Sequence, residues 1–258
     1  MTSSFQIIST LRYDPALPDV LNYPDSLRTP YYLLPYHQDR LLRAAQCFKW
    51  QAAIDFLERD ADQFLQFLDS FIPDKTKPWR LRILIDQHGV GTVETTPTTT
   101  INLSSLLIPS ETHASPWRVY IDTKPTKPSA FTTHKTTARE DYTSARLRSG
   151  IYSPQEQAEV LIVNPEGEIM EGSITTPYFR RRNHVHTDQA TGSDWITPPL
   201  SSGGNAGTTR RYALTQGFCT EQVIRATHLV DGEECWLSNG VRGFIRGIVV
   251  LDGGANLP

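Results

Sequence analysis

Phe131-Thr-Thr-His-Lys135-Thr-Thr-Ala-Arg139-Glu-Asp-Tyr142 sets one lysine among hydroxyls, with a histidine before it and an arginine and a tyrosine after it. A lysine that bonds to a carbonyl needs a partly desolvated place where its neutral amine is accessible. A strand or loop bordered by small polar groups provides one, and His134 and the threonines are compatible with that. On its own, Lys135 reads more simply as a solvated surface residue, since lysine is seldom buried. The stretch gains weight from other segments of the chain.

Further on, Glu159-Val-Leu-Ile-Val-Asn-Pro-Glu-Gly-Glu-Ile-Met-Glu171-Gly-Ser173 reads as a hairpin ending on an isolated carboxylate. Glu171 is either a surface glutamate at the foot of that hairpin or a partner for a cationic ring nitrogen. Gly207-Thr208-Thr209-Arg210 follows a Gly/Pro-rich loop and opens a helix. Its glycine lets the backbone approach an anion, and a helix start offers free amides and a positive dipole end; an ordinary threonine cap reads the same way. Leu237-Ser-Asn239-Gly240-Val-Arg242-Gly243 ends a strand, with Asn239 and Gly240 placed to close the other side of a phosphate or simply to turn. Arg40, in His37-Gln-Asp-Arg40-Leu41, either pairs with Asp39 or reaches that phosphate. A lysine, a carboxylate and two Gly/Ser/Thr anion sites, in this order, suit a pyridoxal phosphate pocket.

Composition narrows the alternatives. With 258 residues the chain can bury a substantial core as one large or two modest domains. A net charge of −3 with 21% charged residues gives no general pull toward nucleic acid or an anionic membrane surface. Apolar runs such as Ile248-Val-Val-Leu251 fall far short of a membrane span. Met1-Thr-Ser-Ser-Phe5 shows no basic region followed by an apolar one, so no secretory signal is expected. Cys47, Cys219 and Cys235 are too few and too scattered for a disulfide framework or a zinc site, which leaves a soluble cytoplasmic protein without a metal as the expectation.

The first half reads as α+β. Phe5–Tyr13 is an expected strand. A helix follows from His37, with Leu41, Leu42, Ala45 and Phe48 at helical spacing. Ile54, Leu57, Phe64, Leu65 and Leu68 suggest a second helix, closed by Pro73. Leu81, Ile83 and Ile85 alternate as a strand, and His88-Gly89 turns into Val90–Glu94. Thr95–Thr100 reads as an exposed bend or strand edge, and Trp117–Ile121 as a short strand. The prolines of Lys124–Ser129 read as a linker, placing a domain at 1–122, a linker at 123–129 and a second domain at 130–258. That second half is strand-rich, with helices expected only at Thr209–Gln216 and near Arg225, and a polar hairpin tip over Asn183–Asp194. Arg180-Arg-Arg182 and His184-Val-His186 are too sparse to mark a nucleic-acid or metal site.

Taken together, these segments resemble the class IV aminotransferase family, the fold-type IV pyridoxal phosphate enzymes, and within it most closely the aminodeoxychorismate lyase branch. The likeness runs from Phe5-Gln-Ile-Ile-Ser-Thr-Leu-Arg12 through His37-Gln-Asp-Arg40-Leu41, His134-Lys135-Thr-Thr-Ala-Arg139, Glu171-Gly-Ser and Gly207-Thr-Thr-Arg210 to Asn239-Gly-Val-Arg242-Gly243. Three positions depart from the related transaminases. Tyr142 stands seven residues after Lys135 rather than five, Thr176 replaces an asparagine, and Asn205-Ala206 replaces Leu-Pro.

The resemblance implies a small N-terminal α/β domain and a larger β-rich, pseudo-barrel C-terminal domain, with the cofactor between them in a homodimer. It implies conversion of 4-amino-4-deoxychorismate to 4-aminobenzoate and pyruvate, in folate synthesis. Lys135 is the implied cofactor-bonding residue and general base, Glu171 the ring-nitrogen partner, and Arg40, Gly207, Thr208, Thr209, Asn239 and Gly240 the remaining cofactor contacts. A dicarboxylic substrate needs cations; Arg12, Arg139 and Arg242 are candidates, each of which reads as well as a structural ion pair. A transaminase of the same fold, acting on D-amino acids, branched-chain amino acids or amines, and a catalytically silent binding relative remain open.

Overall fold

The computed structural model describes residues 5–21, 23–109, 114–153, 155–181 and 193–251. The chain forms two compact units. One comprises Met1–Leu107, His134–Ala138 and Gly240–Arg242; the other comprises Ile108–Thr133, Arg139–Asn239 and Gly243–Pro258. This division differs from 1–122 and 130–258: the proline-rich stretch lies inside the second unit, and two short segments from the second half of the chain join the first.

The first unit is built on an antiparallel sheet in the order β1 (Ile7–Tyr13), β2 (Trp79–Ile85), β3 (Gly91–Pro97). Leu11 stands opposite Leu81 and Ser9 opposite Ile83. Side chains alternate along a strand, so Ile7, Leu11 and Tyr13 share a face of β1, and all three join the core with Leu41, Ala44, Ala45, Phe64 and Leu68. Those helical residues come from α1 (Leu34–Cys47) and α3 (Ala61–Asp69), with α2 (Gln51–Leu57) between them. The helix expected from His37 begins a turn earlier, with Pro35 in its first turn, where a missing N–H costs nothing. The second expected helix is two. Asp60 accepts a hydrogen bond from Gln63 N–H at 2.8 Å and starts α3 afresh, a capping signal that the apolar spacing of Ile54 to Leu68 concealed.

β1 lies at the end of its sheet, and its second edge is paired as well. Ile8 N–H donates to the Lys135 carbonyl, Thr137 N–H to Gln6, Arg12 N–H to Gly240, and Tyr32 N–H to the Arg12 carbonyl, all at 2.9 Å. These bonds bring Lys135 and Gly240 to the same strand edge.

The second unit has an eight-stranded sheet in the order β6-β5-β4-β11-β10-β7-β8-β9. Its strands are β4 (Trp117–Ile121), β5 (Ala158–Val163), β6 (Ile169–Gly172), β7 (Thr176–Arg180), β8 (Trp195–Thr197), β9 (Cys219–Glu221), β10 (Glu234–Asn239) and β11 (Gly243–Val249). β4 runs parallel to β5 and β11, and β8 runs parallel to β9. Every residue of β5 is buried. Leu161 and Val163 face one core with Trp117, Val119 and Leu237, whereas Ala158, Val160 and Ile162 face another with Tyr142, Ala145 and Met170.

Tyr142 and Ala145 belong to α5 (Glu140–Arg148), which follows the single turn α4 (Ala130–Thr133). Neither helix was expected. Only those two residues of α5 are buried, too few to give a helical period. The remaining helix, α6 (Thr208–Thr215), stands where Thr209–Gln216 was expected, and a 3-10 turn at Ala226–His228 stands near Arg225. The polar hairpin tip expected over Asn183–Asp194 falls on residues 183–192, which lie outside the described residues, as does Arg182; on either side of them β7 and β8 pair Phe179 with Ile196. Among the described residues, no helix is long and apolar enough to cross a membrane, and no cluster of three or more His, Cys, Asp or Glu could hold a metal.

Asp60→Ala removes the cap that separates α3 from α2. It is expected to cost about 1 kcal/mol, read as a lower urea midpoint with an unchanged transition slope.

Candidate functional site

In the first unit, the polar groups gather on β1. Ser9 is the one polar side chain on the helix-facing side of the strand, between Ile7 and Leu11, and α1 meets it with two polar residues three positions apart. Arg40 Nη2 donates to Ser9 Oγ at 2.5 Å, and Ser9 Oγ lies 2.7 Å from His37 Nδ1. All three residues are buried. Burial, then the charges of Arg40 and Lys135, hold His37 well below its ordinary pKa, so it is neutral. Gly240 closes over the ring; a Cβ there would lie 2.6 Å from His37 Cε1 and 2.7 Å from the Thr10 carbonyl. Lys135 is half-buried in the loop after α4. Beside it, His134 stacks edge-on to Phe48 at 6.0 Å, and burial lowers its pKa too.

Arg12 is held internally. Its Nε and Nη2 donate to Asp14 Oδ2 at 2.9 and 2.7 Å, and Nη2 also reaches the Thr99 carbonyl at 2.9 Å. This ion pair accounts for Arg12's burial without a substrate. Its signal was present in the sequence, since residues two apart on an extended chain share a face. Arg242 is exposed.

In the second unit, Glu171, the last residue but one of β6, is half-buried, and Tyr142 Oη donates to its Oε1 at 2.5 Å. Burial, then the charge of Glu171, raise the Tyr142 pKa, which keeps the phenol protonated as the donor. The seven-residue spacing from Lys135 therefore places Tyr142 against the carboxylate, a role that the unrecognised helix α5 had hidden. Arg139 lies over the Tyr142 ring at 3.9 Å and donates to the Ser173 carbonyl at 2.6 Å.

The turn after Glu171 is shaped by Glu159, a carboxylate with no solvent exposure. Glu159 Oε1 accepts from Val160 N–H and Ser173 N–H, and Oε2 from Ile174 N–H and Thr175 Oγ1, at 2.7–3.1 Å. Ser173 Oγ sits 2.5 Å from Oε1, and Arg146 lies 3.8 Å away. A lone carboxylate inside the apolar strand Ala158–Val163 was the available sign, because buried charges are paired or hydrogen-bonded.

The loop before α6 runs against β6. A Cβ on Gly204 would come within 2.3 Å of the Met170 carbonyl and 3.3 Å of Glu171 Cβ, so only glycine permits that approach. Gly207 then caps α6 with no side-chain bond, and a Cβ there would meet Thr176 Oγ1 at 2.7 Å. Thr208 and Thr209 are buried in the first helical turn, and Thr209 Oγ1 and Asn205 Oδ1 are buried without a protein partner. Arg210 points away, donating to the Pro198 carbonyl at 2.8 Å and pairing with Glu221. At the end of β10, Asn239 is half-buried next to Ser238, whose Oγ lies 2.8 Å from Tyr178 Oη.

Pyridoxal phosphate fits these residues. The first amides of a helix have no acceptor inside it, and an unpartnered threonine hydroxyl with a bare glycine cap forms an anion cradle at α6. A carboxylate oriented by a protonated phenol suits a cationic ring nitrogen.

The chain is similar to several known proteins. A family model described as amino-transferase class IV matches residues 27–248. An aminodeoxychorismate lyase of Saccharomyces cerevisiae is 31% identical over 228 residues; the match takes in 83% of this chain, which spans only 55% of that relative's length. A Mesorhizobium loti structure provisionally described as an amino-acid aminotransferase superposes with a TM-score of 0.71 at 22% identity, covering 95% of this chain and all of that one (100%). The PLP-bound form of a hypothetical aminotransferase from Mycobacterium tuberculosis gives 0.58 at 17% identity, covering 98% and 83%. At such identities the structural likeness establishes the fold, a mixed α/β architecture of fold type IV.

Two measurements probe this geometry. Tyr142→Phe strips the donor from Glu171 and is expected to cost about 1–3 kcal/mol in urea unfolding; an unchanged midpoint would contradict the bond. His37 supplies a pH dependence. Its folded pKa lies below the ordinary 6.5, so below that pH the unfolded chain binds a proton that the native state refuses. The contribution is complete above 6.5 and is lost as pH falls, by up to about 1.4 kcal/mol per pH unit. Urea midpoints from about pH 7 to about pH 5 should therefore fall more steeply in the wild type than in His37→Gln.

Proposed function

We propose that this chain, which belongs to the class IV aminotransferase family, is a pyridoxal-phosphate-dependent lyase converting 4-amino-4-deoxychorismate to 4-aminobenzoate and pyruvate. The observation that carries the cofactor is the α6 cradle, where Thr209 Oγ1 is buried and unpartnered. The lyase assignment is supported by the 31% identity to the yeast relative. The same reading carries a homodimer, a cytoplasmic location and a place in folate synthesis.

When bound, pyridoxal phosphate supplies an electron sink for the carbanion formed beside the substrate amine. The residues of this chain supply the rest. Gly207, Thr208 and Thr209 bind the phosphate through amides and hydroxyls, and Arg40 adds its charge. Asn239 and Gly240 close over it. Glu171 holds the proton at the ring nitrogen, and Tyr142 keeps the carboxylate oriented through its 2.5 Å hydrogen bond. Lys135 would hold the cofactor through its amine, and that amine, when neutral and free, would act as the general base that takes the proton from the amine-bearing carbon.

For the substrate carboxylates, Arg242, which is exposed, and Arg139, which lies over Tyr142, are the proposed cationic contacts. Arg12 serves β1 through Asp14.

The decisive assay is 4-aminobenzoate release from aminodeoxychorismate, with and without added pyridoxal phosphate. Lys135→Ala should abolish both release and borohydride fixation of the cofactor. Amino transfer to a keto acid without 4-aminobenzoate would replace the lyase with a transaminase. A colourless protein that borohydride does not label would overturn the cofactor assignment.

A further inference from the structure

The Ser9–His37 pair is not accounted for by the roles above. Arg40 has only donors, so it donates to Ser9 Oγ across 2.5 Å, and the one hydroxyl proton of Ser9 remains for His37 Nδ1 at 2.7 Å. Ser9 Oγ can also accept from an Nδ1–H, but its own buried hydroxyl proton is then left without an acceptor; donation to Nδ1 uses that proton and puts the ring proton on Nε2. That nitrogen is buried without a partner. Gly240 packs against Cε1 and Nε2 and leaves no room there for even a methyl group.

We propose that Ser9 and His37 are positioning residues for Arg40: a neutral imidazole, locked as the Nε2–H tautomer, presents Nδ1 to Ser9 so that the Ser9 oxygen is aimed at the guanidinium. The inference rests on the reading of Arg40 as a phosphate ligand. A histidine is suited to the task because it accepts a hydrogen bond without bringing a negative charge. A carboxylate in its place would pair with Arg40 directly and compete with the phosphate. A protonated ring would turn Nδ1 into a second donor facing the same oxygen and add a positive charge beside Arg40 and Lys135. The lowered pKa of His37, from burial first and then from those two cations, keeps the ring in the required form.

The test compares pyridoxal phosphate with pyridoxal, which lacks the phosphate, by absorbance titration of the full chain. Ser9→Ala should weaken pyridoxal phosphate about tenfold, the scale of one charge-assisted hydrogen bond, and leave pyridoxal unchanged. Ser9→Thr, which keeps the hydroxyl, should restore the ratio. Equal weakening of both ligands, or of neither, would overturn the proposal. Nitrogen-15 spectra of the wild-type histidines give a reading that needs no variant: His37 should be neutral with its proton on Nε2, and a proton on Nδ1 refutes the relay. A wild type that binds neither compound defeats the cofactor reading, while the tautomer still decides the relay.

Discussion

An extended strand must pair the N–H and C=O groups of both its edges or leave them to water. In the first unit, β1 pairs one edge with β2 and the other with pieces of chain from three distant places. Tyr32, Lys135 with Thr137, and Gly240 each bond to it. The requirement that a buried strand be satisfied on both sides therefore gathers the chemistry. It brings the carbonyl of the central lysine to Ile8 and that of the glycine covering His37 to Arg12. The same strand offers Ser9 to α1 from its apolar face, so one element serves as edge, core and polar anchor.

The second unit is organised around a buried charge. Glu159 has no exposure, and a carboxylate so placed must collect hydrogen bonds. It takes them from the turn that follows Glu171, through Ser173, Ile174 and Thr175. That turn cannot relax without stranding the charge. Glu171 consequently leaves β6 at a fixed point, where Tyr142 meets it from α5 and Gly204 passes close behind. The loop continues to α6, whose first turn buries Thr208 and Thr209.

Much of this was legible in the chain. The alternation of Leu81, Ile83 and Ile85, the helical spacing of Leu41 and Ala45, and the Gly207-Thr208-Thr209 helix start are local signals that the fold retains. The failures were local as well. Asp60 split a helix that apolar spacing had joined, and α5 left too short an apolar stripe to be seen. The domain limits were placed by proline content, yet strand pairing decides them: β4 bonds to β5 and β11 and draws the preceding residues with it.

The sequence by itself determined the types of chemical group and their order: a lysine among hydroxyls, an isolated carboxylate, a glycine-led helix start and several arginines. These follow from residue identity and near-neighbour spacing, which a linear reading contains. Tertiary structure decided what each group does. Arg12 is consumed by Asp14, Tyr142 is given to Glu171, Glu159 is buried as the support of a turn, and Ser9 joins His37 to Arg40. Most of these assignments depend on which side chains are shut away from water together, and burial is what turns an ordinary polar residue into one that must find a partner. Even for Arg12 and Asp14, where spacing supplied the hint, exclusion from water fixes the pairing.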